Sequence, residues 1–217
     1  MEKLIVLLIA ACLVTGTAFA AEEFERKKHY IGVDFGIFEP VGSYKEPGIT
    51  LEHETGYEFG LKYTYYAGKI NMYHPSDIGI VLRLGRTVFE SEKKNFYIPG
   101  HTPKVWLEYE TITFGAGVSG RFPIHKQLDL LVEGGFNYNF NDVTINIELY
   151  GNSVSNKQSG RVFGGFIDAG LNYYVTPHFA IGALIKLSAN RQPIEDYSDS
   201  EADMGGLSLL LTAGYMF

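Results

Sequence analysis

The sequence predicts an all-β chain folded as an eight-stranded antiparallel up-and-down transmembrane β-barrel, with short periplasmic turns and long extracellular loops. Three observations carry that prediction. An export leader opens the chain, side chains alternate with period two from Tyr30 onward, and the polar half of the alternation holds charges of both signs.

Met1-Glu2-Lys3 is a short charged start, Leu4 to Val14 is an unbroken apolar run, and Ala18-Phe19-Ala20 is a small-x-small cleavage pattern. The run is too short to span a bilayer as a helix and polar Glu22-Glu23 follows it. Residues 1–20 therefore read as a cleaved signal peptide and 21–217 as one barrel domain. Ile9-Ala10-Ala11-Cys12 resembles a lipoprotein box, but cleavage there would leave apolar Leu13 to Ala20 at the new terminus. Cys12 is the only cysteine, so beyond the leader neither a disulfide nor a cysteine-ligated metal is expected. The net charge of −7 argues against nucleic acid as a partner. No later segment has the roughly 18 apolar residues of a membrane helix. Glycine (25), tyrosine (15) and phenylalanine (15) are abundant, as many short aromatic strands would require.

The strands follow in order. In Tyr30 to Phe38, Ile31, Val33, Phe35 and Ile37 oppose Gly32, Asp34 and Gly36. In Gly56 to Ala67, Tyr57, Phe59, Leu61, Tyr63 and Tyr65 oppose Glu58, Gly60, Lys62 and Thr64. The third sets Ile78, Ile80, Leu82 and Leu84 against Gly79, Val81, Arg83 and Gly85. The fourth sets Ile112, Phe114, Ala116 and Val118 against Thr113, Gly115, Gly117 and Ser119. In the fifth, Leu128, Leu130, Val132, Phe136 and Tyr138 oppose Asp129, Leu131, Glu133, Asn137 and Asn139. The sixth sets Ile167, Ala169, Leu171 and Tyr173 against Asp168, Gly170 and Asn172. The seventh sets Phe179, Ile181, Ala183, Ile185 and Leu187 against Gly182, Lys186 and Ser188. The last sets Leu209, Leu211, Ala213, Tyr215 and Phe217 against Ser208, Thr212 and Gly214.

A water-soluble barrel could alternate in the same way with its apolar face inward. The polar faces decide against it, because they hold Asp34, Glu58, Asp129, Glu133 and Asp168 together with Lys62, Arg83, Arg121 and Lys186. Nine charges do not belong in a soluble core, but they suit a polar lumen inside a lipid-facing wall. Strands of about 9–12 residues match a tilted crossing. Connections after strands 2, 4 and 6 are short (Gly68 to Asp77, Pro123 to Gln127, Thr176 to His178). Those near 40–55, 90–104, 141–160 and 190–205 are long and polar, which puts both ends of the barrel chain in the periplasm.

The closing Leu209-Leu210-Leu211-Thr212-Ala213-Gly214-Tyr215-Met216-Phe217 resembles the carboxy-terminal signal of the small outer-membrane β-barrel superfamily, the OmpA-, OmpX- and OmpW-like proteins. The resemblance implies an outer-membrane location among lipid and lipopolysaccharide. It also implies that the segment with Tyr215 and Phe217 is read by the barrel-insertion machinery. It implies an architecture, not an activity.

An eight-stranded barrel is only wide enough for side chains to fill. Five inward acids against four inward bases predict a salt-bridged plug. A hairpin tip at Thr176 to His178 sets Asp168 opposite Lys186, and a turn centred on His125 sets Arg121 opposite Asp129. That second turn also pairs Leu107 with Val143 and Val105 with Ile145. Above Ile112 and beyond Phe140 the apolar residues change face: Leu107, Tyr109, Val143, Ile145, Ile147 and Leu149 share parity with the inward set, while Glu108, Glu110, Asp142, Thr144, Asn146 and Glu148 point out. Polar-out and apolar-in is what a sheet needs in water, so this hairpin is expected to project beyond the membrane. Its inward apolar set forms a cap under the loops, a pocket for a small hydrophobic ligand, or a protruding edge for another chain.

No chemistry-bearing motif stands out. His29, His74, His125 and His178 fall at the periplasmic end and His53 and His101 in external loops; no zinc, phosphate-loop or nucleotide fingerprint is present. No cofactor, metal or catalytic residue is therefore assigned. Glu195 to Asp203 carries five acids without EF-hand spacing and reads as a solvated loop or a divalent-cation bridge to lipopolysaccharide. Arg86 shares parity with the lipid-facing set and could meet lipid phosphates. Tyr57, Tyr65, Tyr138, Tyr173, Phe179 and Tyr215 read as interfacial girdles. The function expected is structural or surface-interacting; the alternatives are an OmpW-like conduit or binder for small hydrophobic molecules and a lipid-modifying enzyme.

Overall fold

The computed structural model describes residues 26–41, 43–46, 49–71, 75–97, 99–193, 201–203 and 205–217. The leader reading of residues 1–20 and most of the acidic stretch 195–203 lie outside the described residues. Eight long strands form the wall: β1 His29–Pro40, β2 Gly56–Asn71, β3 Pro75–Glu90, β4 Lys104–His125, β5 Leu128–Leu149, β6 Asn152–Thr176, β7 Phe179–Ala189 and β8 Gly206–Met216. Each pairs antiparallel with its sequence neighbours, and β1 pairs with β8 to close the ring. Within the closed ring each strand is paired on both sides, the condition for crossing hydrocarbon with strands; the upper part of β6, from Asn152 to Gly164, is paired with β5 alone among the described residues.

The alternation sets the two faces. Ile31, Val33, Phe35 and Ile37 of β1 are exposed outward, whereas Asp34 and Phe38 are buried inward. The same division holds from Phe59, Leu61 and Leu82 through Ile185, Leu209 and Leu211 on the outside. Gly32 and Gly214 leave room for the inward Tyr30 ring: a Cβ on either would fall within 2.7 Å of its atoms.

Three strands are longer than the alternation alone suggests. β4, β5 and β6 have 22, 22 and 25 residues, so the expected loop at 141–160 is a hairpin. Its tip is Tyr150-Gly151, with φ of 51° and 77°. Positive φ at both central residues is the tight hairpin turn whose twist matches its strands. The polar composition of Asn152 to Gly160 hides this strand, which forms because β5 templates it from Leu149 to Asn141. Smaller corrections follow the same logic. Gly68 to Asn71 pairs with Pro75 to Ile78 rather than forming a turn, after a bulge between Tyr66 and Gly68. Short strand pairs also occur within two other long connections, Ser43–Glu46 with Ile49–Glu52 and Arg191–Pro193 with Glu201–Asp203.

Candidate functional sites: the charged lumen and the projecting sheet

The structure places all nine predicted lumen charges inside the wall, eight of them buried and Arg83 nearly so. Glu133 of β5 is the hub. It takes Arg83 and Lys62 (3.4 Å) on Oε2, and Ser119 donates to its Oε1 at 2.9 Å. Arg83 also pairs with Asp168 at 2.6 Å, and its guanidinium lies 4.9 Å from the Phe166 ring. Lys186 pairs with Glu58, which also accepts from Ser208. Among the described residues Asp34 Oδ1 has no hydrogen-bond partner.

The expected partnerships differ from these. Asp168 and Lys186 are opposite in register, as the short turn requires, but each ion pair crosses the lumen instead, to Arg83 and Glu58. Long side chains in a narrow tube reach the far wall as easily as the next strand. In the β4–β5 hairpin the register is two residues away from expectation: Arg121 faces Leu131, Pro123 faces Asp129, and Tyr109 rather than Leu107 faces Val143. The turn is Lys126-Gln127 rather than one centred on His125, and a bulge between Pro123 and His125 absorbs Ile124. Arg121 still reaches Asp129 diagonally at 3.8 Å.

Sequence reasoning missed four contributors. Asp77 was assigned to a turn, yet it holds Arg121 at 2.6 Å; its odd number shares the inward parity of Arg83, which was the available signal. Arg26, before the first strand, donates to Asp129 at 2.8 Å and to the His125 carbonyl at 3.2 Å, so the chain entering β1 crosses the periplasmic mouth. Tyr174 donates to Asp129 at 2.6 Å. Finally, Leu131, Leu184 and Leu210 form a buried apolar layer within the lumen. Ion pairs, leucines and the Tyr30–Tyr66–Tyr174 cluster together line the lumen.

At the outer end, the inward-facing Leu107, Tyr109 and Val143 pack with Phe38, Leu51 and Phe89, and Ile145 lies against them. His53 stands edge-on to Phe89 and Tyr109 at 5.3 and 4.9 Å. Ile147 differs from expectation: it is 43% exposed and stands outside this cluster. Outside, the projecting sheet carries a groove of about 450 Å³ whose walls include Glu54, Glu90, Glu108, Glu110, Asp142 and Lys157. Lys157 and Ser159, both hydrogen-bonded to Asp142, hold its carboxyl below the usual carboxylate range. Among the described residues no cluster of His, Cys, Asp and Glu could hold a metal ion.

At the carboxy terminus, Phe217 stacks on His29 at 5.2 Å with planes 9° apart. The two residues also exchange backbone hydrogen bonds of 3.0 and 3.1 Å, closing the seam between β1 and the end of the chain. Tyr215 stacks on His178 at 5.6 Å.

An apolar exterior, a charged lumen and a closed eight-strand ring define an outer-membrane transmembrane β-barrel. Residues 5–217 match the family model described as the outer membrane protein beta-barrel domain, and the chain belongs to that family. A search of the curated proteins found no match. Among solved structures, the chain is similar to the outer membrane protein OprG from Pseudomonas aeruginosa (TM-score 0.55, 13% identity, covering 91% of this chain and 99% of that one). It also matches Ail, the attachment invasion locus protein of Yersinia pestis, in complex with the heparin analogue sucrose octasulfate (TM-score 0.46, 18% identity, 89% and 100% covered). A third match is the outer membrane protease OmpT from Escherichia coli (TM-score 0.45, 11% identity, 91% and 99% covered). At these identities the likeness concerns the fold alone.

Proposed function

We propose that this barrel is a non-enzymatic surface-interaction protein with a plugged lumen, and that its projecting sheet binds an extended protein segment outside the cell by strand addition. One observation carries the reading. From Asn152 to Gly164, β6 pairs with β5 on one side and has no strand partner on the other among the described residues. Such an edge offers a row of free backbone donors and acceptors. Natural edges of this length are usually blunted, and this one carries only Lys157 and Arg161 as charges. Hydrogen exchange on the purified protein tests it. Alternate amides in 152–164 should exchange freely and gain protection when a peptide copying residues 141–149 is added. Uniform protection in the isolated protein would contradict the reading.

The apolar set at the outer end of the lumen favours a second reading, a binder of small hydrophobic molecules. Planar-bilayer conductance and soaking with alkyl ligands distinguish it, since a plugged, packed mouth takes up neither ions nor ligand. Mass spectrometry of lipid A from producing cells would register a lipid-modifying activity.

Residues 1–20 are proposed as the cleaved leader, giving a mature chain that starts at Ala21. Tyr215 and Phe217 are proposed as the signal read by the insertion machinery. Deleting Phe217 should lower the assembled fraction, seen as loss of the heat-modifiable band; it would also remove the His29 stack that seals the seam. An unchanged band would count against that role.

A further inference from the structure

The free edge of β6 presents two different faces to an incoming strand. Every residue from Asn152 to Lys157 is exposed. On the face that continues the lumen side, Val105 of β4 faces Ile147 of β5, and Ile147 faces Val154 of β6. This apolar row runs out to the edge and ends there, with Val154 70% exposed. Asn156 and Gln158 follow on the same face, beside Ile145 and Val143.

The outward face is acidic. Glu90 stands directly opposite Glu108, and Glu110 opposite Asp142. Like charges in direct cross-strand positions oppose pairing. Lys157 holds Asp142 at 2.8 Å, which draws its ammonium back toward β5 and away from the edge. Glu148 faces Lys104 on β4 and Ser153 on β6, and no ion pair holds it among the described residues. Ser153 and Ser159 stand between the edge and the acids Glu148 and Asp142, and both are short. Two strand spacings of about 4.8 Å would separate an added backbone from β5, within the combined reach of a lysine and a glutamate.

We propose that the partner taken by this edge is an extended protein segment that alternates basic and β-branched apolar residues. The inference rests on strand addition at β6 and names what is added. In the antiparallel register that mirrors β5 across β6, an apolar side chain of the segment lies beside Val154 and lengthens the Val105–Ile147 row. Basic side chains lie beside Ser153 and Ser159 and reach over them to Glu148 and Asp142. Backbone pairing is indifferent to sequence, so these side chains supply the selection. An acidic segment would add like charge to a face that already opposes acid to acid, and a wholly polar one would leave Val154 in water.

Two peptides test it on the purified protein in an uncharged detergent. One copies residues 141–149; the other carries Asp142→Lys and Glu148→Lys and keeps Val143, Ile145 and Ile147. The lysine peptide should bind about tenfold more tightly, the contribution of two exposed ion pairs. Salt at about 1 M should remove the difference. Glu148→Gln in the protein should reduce the advantage to about threefold, one pair being absent. Val154→Asn should weaken both peptides alike, through the lost apolar contact. Both positions lie on the projecting part of the sheet, so the variants should keep the heat-modifiable band of a folded barrel. Hydrogen exchange separates the outcomes. Protection of alternate amides in 152–160 by both peptides at equal affinity would overturn the charge selection and leave strand addition standing. Protection by neither would overturn both. The proposal also fails if the lysine peptide binds tightly without protecting 152–160, or if its advantage survives Glu148→Gln unchanged.

Discussion

Glu133→Ala should destabilise the folded barrel by about 3–5 kcal/mol, the cost of leaving buried charges without their counter-ion. The carboxylate holds Lys62, Arg83 and Ser119 at once, and its side chain is fully enclosed. Removing it leaves Lys62 without its ion-pair partner and Arg83 with Asp168 alone, on a buried inner wall. Glu148→Ala, on the projecting part of β5, should change stability by less than about 0.5 kcal/mol. Urea unfolding followed by the heat-modifiable band compares the two. Equal effects would show that the lumen is wet and its ion pairs dispensable.

The second large effect concerns partner choice. Glu58→Ala and Lys186→Ala should each destabilise strongly, and the double variant should fall short of the sum by about 1–3 kcal/mol, the coupling of residues in contact. Asp168→Ala should couple to Arg83→Ala more strongly than to Lys186→Ala, although Asp168 and Lys186 are register partners. The reverse order would mean that charges pair along the ladder and not across the tube.

These cycles mark the boundary of what the sequence discloses. Period-two alternation is a backbone property, so it assigned Asp34, Lys62 and Glu133 to the lumen and Ile31 and Leu211 to the wall without knowledge of the third dimension. Register depends on turn chemistry. The Thr176-to-His178 turn was legible; the β4–β5 turn was not, because a bulged Ile124 leaves no residue-type signal that separates it from a regular strand. Partner choice was not legible at all: Lys186 on β7 and Glu58 on β2 are 128 residues apart and meet only once the ring closes. The β6 edge was missed for a different reason. Asn152 to Gly160 is polar on both faces, and nothing in such a segment distinguishes a solvated strand from a loop until a neighbour templates it. The inversion of faces near Phe140 was legible, because Val143 and Ile145 are apolar where the alternation had placed asparagines.

That inversion is where the account is most exposed to test. Cys12, in the proposed leader, is the only cysteine, so single cysteines can be placed along β5 without background labelling. A membrane-impermeant maleimide applied to intact cells should label positions 144 and 148, which face water above the membrane. It should spare 136 and 138, which face lipid, and 143, which is packed in the cap. Labelling of 136 and 138 as fast as 144, or of 143 in place of 144, would contradict both the membrane placement and the projecting sheet.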